Sequence, residues 1–218
     1  GDTTSSRQGL VISVTSIGYA DEKNIVYRNG AEEGDLICVS GDLGGAYMGL
    51  QLLEREKQVF LANPNIQPDL EGKDYIVERQ LKPEARLDIV DLLAKMQIKP
   101  TAMIDVSDGL ASEILHITKQ SKKGCKIYEE KIPLDPMTVE QAREFGLDPT
   151  VCALNGGEDY ELLFTIKQSD YDRMKHDVDI SIIGYITEES AGNYLITKAG
   201  NIHELKAQGW NAFTSTNS

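Results

Sequence analysis

The chain has 218 residues, with 22 Lys and Arg against 35 Asp and Glu, for a formal net charge of −13. That balance offers no positive field to gather nucleic acid or anionic lipid, so neither nucleic acid nor membrane is an expected partner. Hydrophobic residues at 40% with charged residues at 26% match a chain that folds around a core, which excludes an intrinsically disordered polymer.

The β-branched run Leu10–Ile17 reads as a strand ending at Gly18, followed by a polar connection to about residue 35. Leu36–Ser40 is a second strand. The turn Gly41-Asp42-Leu43-Gly44-Gly45 then opens a helix, with Leu43, Tyr47, Leu50 and Leu53 on its inward face. Pro64, Pro68 and Gly72 mark a loop ahead of a helix over Asp74–Leu81, which Pro83 ends. A helix over Glu84–Gln97 turns Leu87, Val90, Leu93 and Ala94 inward, and Pro100 resets the chain before a strand at Ala102–Asp105. Ser107-Asp108-Gly109 opens the next helix, with Leu110, Ile114 and Ile117 inward. Strands are predicted at Ile127–Leu134, Tyr160–Ile166, Ile180–Ile186 and Tyr194–Thr197, and helical pieces at Thr138–Phe145, Asp148–Leu154 and Ser169–His176. The order predicts an α+β fold in two lobes, with residues 1–60 as a first lobe too small to close a core alone and 61–218 as a second.

No apolar run approaches the roughly 20 residues of a membrane helix, and the first residues lack the charged and apolar regions of a secretory signal. Cys38, Cys125 and Cys152 form no C-x-x-C pair, which argues against a disulfide framework or zinc site and for a reducing cytoplasm. No G-x-S-x-G elbow, P-loop or G-x-G-x-x-G pattern is present. His116, His176 and His203 show no metal-pair spacing, so structural or exposed roles are expected.

The densest chemical signal is Ile104-Asp105-Val106-Ser107-Asp108-Gly109-Leu110. It sets two carboxylates three residues apart where a strand ends and a helix begins. Hard carboxylate oxygens suit Mg²⁺, and the free N–H groups of a helix start suit phosphate. The competing reading is local, with Ser107 or Asp108 as the helix cap and Asp105 as a turn residue. Asp2 adds a carboxylate among hydroxyls, or belongs to a frayed terminus. Asn155-Gly156-Gly157-Glu158-Asp159-Tyr160 is either an ordinary Gly-Gly turn or a close-approach turn that aims Glu158 at a substrate or metal. Gly41–Gly45 reads as a packing turn.

These pieces occur in one order: Gly1-Asp2-Thr3, Arg28-Asn29-Gly30-Ala31 with Gly34-Asp35, Asp105–Leu110, and Gly156-Gly157-Glu158-Asp159-Tyr160-Glu161-Leu162. Together they resemble the thiamine-monophosphate kinase family, within the ATP-binding superfamily that also holds aminoimidazole ribonucleotide synthetase, selenophosphate synthetase and a hydrogenase maturation factor. The resemblance spans Asp2 to Trp210. It implies an N-terminal α/β domain whose strands form a barrel across a homodimer, then a C-terminal α/β domain, with roughly the first third of the family's length lying upstream of Gly1. It further implies Asp2, Asp105 and Asp108 as Mg²⁺ ligands, and Asp2, Arg28 and Ser107 beside ATP. Glu158 and Trp210 are implied as contacts to thiamine monophosphate. Leu81-Lys82-Pro83-Glu84-Ala85-Arg86 keeps the arginine of the family's P-x-P-R turn but has Ala85 in place of its second proline. The implied activity is ATP- and Mg²⁺-dependent phosphorylation of thiamine monophosphate to the diphosphate. The alternatives are another ATP-using enzyme of the superfamily, of the aminoimidazole ribonucleotide synthetase type, or a fragment that folds without turnover.

Overall fold

The computed structural model describes residues 12–207. Its strands are β1 (Leu36–Ser40), β2 (Ala102–Asp105), β3 (Lys123–Tyr128), β4 (Leu162–Ile166), β5 (Ile180–Glu188), β6 (Asn193–Ile196) and β7 (Ile202–Glu204). They form one seven-stranded mixed sheet in the order β2-β4-β1-β5-β3-β6-β7. All neighbours are antiparallel except β3 and β6. The helices are α1 (Gly45–Ala62), α2 (Asp74–Leu81), α3 (Leu87–Lys95), α4 (Leu110–Ser121), α5 (Pro136–Glu144), α6 (Pro149–Asn155) and the short α7 (Tyr171–Met174). The architecture is α+β, as the order of elements predicts.

Period-two alternation explains how the sheet serves two cores. Ile37 and Val39 of β1 point into one, with Ile104, Leu163, Ile183 and the α4 residues Leu110, Ile114 and Ile117. Cys38 between them points into the other, with Phe164, Ile166 and the α3 residues Ile89 and Leu93. A third cluster joins Met48 and Leu52 of α1 to Ile76 of α2 and Ala142 of α5. The expected boundary at residues 60 and 61 falls inside α1, and β1 on its N-terminal side is hydrogen-bonded between β4 and β5. Cys38, Cys125 and Cys152 are buried free thiols. Among the described residues no helix is long and apolar enough to cross a membrane.

Several expectations need correction. Of the predicted strand 10–17, residues 12–17 form no strand, and Ile12 is 76% exposed; β-branching supplies propensity, but a strand needs a neighbour to pair with. The inward face of α1 is Met48, Gly49 and Leu52, with the predicted Tyr47 packed partly buried against the same cluster, whereas Leu53 is only half-buried and Leu50 is exposed. Backbone approach decides this face, because a Cβ on Gly49 would run into the carbonyl oxygen of Ile76. Helix α3 starts three residues later than Glu84 and buries Ile89 and Leu93, leaving Leu87 and Val90 exposed. The strand placed at 127–134 ends at Tyr128 and begins at Lys123, and β7 was not anticipated.

Gly49→Ala should therefore destabilise the fold by about 1–3 kcal/mol, since packed backbone must move to admit one methyl. Urea denaturation of the two proteins measures it.

Candidate functional site

Strand β2 ends at Asp105 on the edge of the sheet, and residues 106–109 carry the chain into α4. Residues 156–161 run alongside and lead into β4. The Val106 N–H donates to the Glu161 carbonyl at 2.7 Å, the Glu158 N–H to the Ser107 carbonyl at 2.8 Å, and the Tyr160 N–H to the Val106 carbonyl at 2.9 Å. Gly157, at φ +69°, lies so close to the Ser107 carbonyl that no Cβ fits. This is the close-approach turn. Glu158 and Tyr160 also sit in the left-handed region, at φ +64° and +52°, where each non-glycine residue costs roughly 1–2 kcal/mol.

Alternate side chains of this segment point to opposite sides. Glu158 is exposed and Tyr160 half-buried, whereas Asp159 and Glu161 are buried. The Asp159 carboxylate accepts the N–H groups of Gly44 at 2.8 Å and Ala46 at 3.2 Å, so it closes the start of α1, where the helix dipole favours negative charge. Arg79 of α2 lies 3.6 Å from it. Glu161 accepts from the Ser40 hydroxyl at 2.5 Å, from Arg79 Nη1 at 3.0 Å and from Arg86 Nη1. Arg79 Nη2 also donates to the Asp42 carbonyl at 2.9 Å, and the Tyr75 hydroxyl donates to Asp42 Oδ2 at 2.5 Å. Burial alone would lower the Arg79 pKa, but Asp159, Glu161 and Asp42 more than offset it. Beside this network an open cleft of about 480 Å³ is lined by Tyr75, Arg79, Lys82, Arg86 and Glu161.

The opposite side is an acidic rim. Asp105, Asp108 and Glu158 are all exposed, and the Tyr160 hydroxyl donates to Glu158 Oε2 at 3.0 Å. The Tyr160 phenol is pushed up by that hydrogen bond first, then by partial burial and the fields of Glu158, Asp105 and Asp108. Helix α4 is not capped by a side chain. Its first turn follows Gly109, and the buried Glu113 reaches back to accept from the Asp108 N–H at 3.1 Å and the Ser107 hydroxyl at 3.3 Å. Burial pushes the Glu113 carboxyl up. The capping reading of Ser107 and Asp108 thus does not hold, and the carboxylates of Asp105 and Asp108 remain exposed.

The structure brings together Asp105, Ser107, Asp108 and Glu158. Arg28 is exposed on chain that runs beside β2, where the Met103 N–H donates to the Tyr27 carbonyl; among the described residues no hydrogen bond or ion pair joins Arg28 to Ser107. Asp2 and Trp210 lie outside the described residues. Among the described residues no group of three His, Cys, Asp or Glu is disposed to hold a metal ion. Sequence reasoning missed Asp159, Tyr160, Glu161, Arg79 and Glu113. The alternation through Glu158-Asp159-Tyr160-Glu161 was the available signal for the first three.

The fold and this pair of facing loops define an α+β domain with an acidic rim at one sheet edge, held from below by buried ion pairs. The chain belongs to the AIR synthase related protein family, whose C-terminal domain it matches over residues 32–196. It is 36% identical to a thiamine-monophosphate kinase of Buchnera aphidicola subsp. Schizaphis graminum and 30% identical to one of Bacillus subtilis, each over 98% of this chain. It spans 62% and 63% of those relatives' lengths. A solved structure described as AaThiL complexed with AMPPCP and TMP superposes with a TM-score of 0.70 at 33% identity, over 86% of this chain and 54% of that one.

Burial pushes the Asp159 carboxyl up from 3.8 to about 6, against the pull of the Gly44 N–H, Arg79 and the Ala46 N–H. Between these values the folded chain holds a proton that the unfolded chain has lost. The contribution is therefore fully present below pH 4 and is lost as pH rises through about 6, a change of about 3 kcal/mol. Stability measured by urea denaturation from pH 4 to 7 should show a downward component that Asp159→Asn flattens.

Proposed function

We propose that this protein is an ATP-dependent kinase that phosphorylates thiamine monophosphate to thiamine diphosphate, with Mg²⁺, as a cytoplasmic homodimer. The observation that carries the reading is the pairing of the Asp105–Asp108 loop with the Gly157–Glu161 loop, which gathers exposed carboxylates beside the start of α4. The names of the relatives and the nucleotide-bound neighbour support the same substrates. The family's homodimer and a cytoplasmic location enter through the resemblance and the cysteine pattern.

The donor set fits Mg²⁺. Asp105 and Asp108 offer exposed, hard oxygens, and Mg²⁺ is commonly held by one or two carboxylates together with substrate phosphates. Asp2 would join them as a ligand. When bound, Mg²⁺ supplies positive charge that turns an acidic rim into a phosphate site and offsets the charge of the transferring phosphoryl group.

The chain's own residues do the rest by placement. Ser107 and Arg28 are assigned to the ATP phosphates, with Asp2 beside ATP as a metal ligand, and the first turn of α4 presents N–H groups and its positive dipole end to anions. Glu158 is assigned to thiamine monophosphate, as is Trp210. Phosphoryl transfer needs little from the protein beyond in-line alignment and charge stabilisation, so no side-chain nucleophile or covalent intermediate is required. The Asp159 and Glu161 anchors fix the loop so that alignment is built before substrates arrive. The three buried cysteines, whose thiols burial pushes up, are unsuited to the sulfur or selenium chemistry of other superfamily members.

A coupled assay for thiamine diphosphate, with isothermal titration of Mg·ATP and of thiamine monophosphate, tests this reading. Binding of both and product formation are expected; binding of Mg·ATP without thiamine monophosphate favours another substrate. Asp105→Asn and Asp108→Asn should each cost at least about a hundredfold in kcat/KM, on the order of 3 kcal/mol of transition-state stabilisation. Their melting temperatures should hold or rise, because removing one of several clustered acids relieves repulsion. Unfolding of both variants would contradict the metal-site role.

A further inference from the structure

Tyr160 has no role in the motif reading or in the residues the resemblance assigns, yet it stands at the centre of the acidic rim. Its backbone adopts φ +52°, two residues after Glu158 at φ +64°. Non-glycine residues take up such a conformation at a cost and keep it only where surroundings enforce it. Here the enforcement is visible. The Tyr160 N–H is committed to the Val106 carbonyl and the Glu158 N–H to that of Ser107, while Asp159 between them is buried against the start of α1. The consequence is that the side chains of Glu158 and Tyr160 meet, and the phenol donates to Glu158 Oε2 at 3.0 Å.

The geometry points to Tyr160 as a positioning residue for Glu158, its hydroxyl fixing one carboxylate oxygen so that the other is presented to the substrate. Glu158 is exposed, and a free glutamate on a surface samples many rotamers, so binding would have to order it. Tyr160 is half-buried and bends at few torsions, which makes it a stiff support. Among the described residues Glu158 Oε1 makes no hydrogen bond, so it is the oxygen left for a donor or a cationic ring. Thiamine monophosphate offers both, a cationic thiazolium and an amino group on its pyrimidine. The inference rests on the proposed kinase reading and adds a specificity role to it.

Tyr160→Phe deletes the hydroxyl and keeps the ring. In isothermal titration and steady-state kinetics, the Kd and KM for thiamine monophosphate should rise about tenfold, the loss expected for one hydrogen bond to a charged group. The Kd for Mg·ATP and the thermal midpoint should stay unchanged. Glu158→Gln should weaken thiamine monophosphate likewise, and the double variant should bind it no worse than Glu158→Gln alone, because Tyr160 acts through Glu158. Undiminished binding by Tyr160→Phe, or effects that multiply in the double variant, would overturn the inference while leaving the kinase reading in place. Wild-type protein that fails to bind thiamine monophosphate would overturn both.

Discussion

The structure depends on two carboxylates that lie beneath a loop. Asp159 takes the N–H groups at the start of α1, and Glu161 takes Ser40, Arg79 and Arg86. The partners come from four separate stretches of chain: the end of β1, the start of α1, the last turn of α2 and the turn into α3. Buried charges of this kind add little net stability, but removing one partner is costly, about 3–5 kcal/mol, because the other is left without compensation. The network therefore specifies one loop geometry more than it stabilises the fold. That geometry places Glu158 and Tyr160 on the outer side in a backbone conformation they would not choose alone.

Function follows from the same division of the segment into two sides. The inner acids are neutralised by arginines and N–H groups, so their charge is absorbed by the protein. The outer acids, Asp105, Asp108 and Glu158, have no cationic partner among the described residues, so their charge is free for cations and cationic substrates. A chain with net charge −13 would repel ATP across most of its surface. On the proposed kinase reading, concentrating unneutralised carboxylates at one edge beside a helix start would give an anionic co-substrate one place where, with bound Mg²⁺, attraction replaces repulsion.

How much of this was legible in the sequence depends on how local the cause is. Strand β1, strand β2 and helix α2 match their expected ranges because Leu36–Ser40 and Ala102–Asp105 are bounded by Gly41 and Pro100, and Asp74–Leu81 by Gly72 and Pro83. The inner face of α1 was misread because apolar spacing pointed to Leu50 and Leu53, whereas the contact is set by Gly49, whose missing side chain lets α2 approach. The run at 12–17 has strand composition but no partner here, and pairing is not a property of one segment. At the site, Asp105, Asp108 and Glu158 stood out as motifs. Their support did not, because Arg79 and Arg86 reach Glu161 across 82 and 75 residues and Asp159 reaches Gly44 across 115, separations that no local pattern encodes.

The central claim, that buried carboxylates hold the outer loop in its working shape, is tested most directly by amide hydrogen exchange on Glu161→Gln. The Glu158 and Tyr160 N–H groups, bonded to Ser107 and Val106, report the loop, and Ile37 and Leu163 in the sheet report the global fold. The account predicts that protection at Glu158 and Tyr160 falls at least about tenfold relative to that of Ile37 and Leu163, a selective loss of more than about 1.4 kcal/mol. Equal protection in variant and wild type at Glu158 and Tyr160 would show that the loop keeps its shape without the network, and would contradict it.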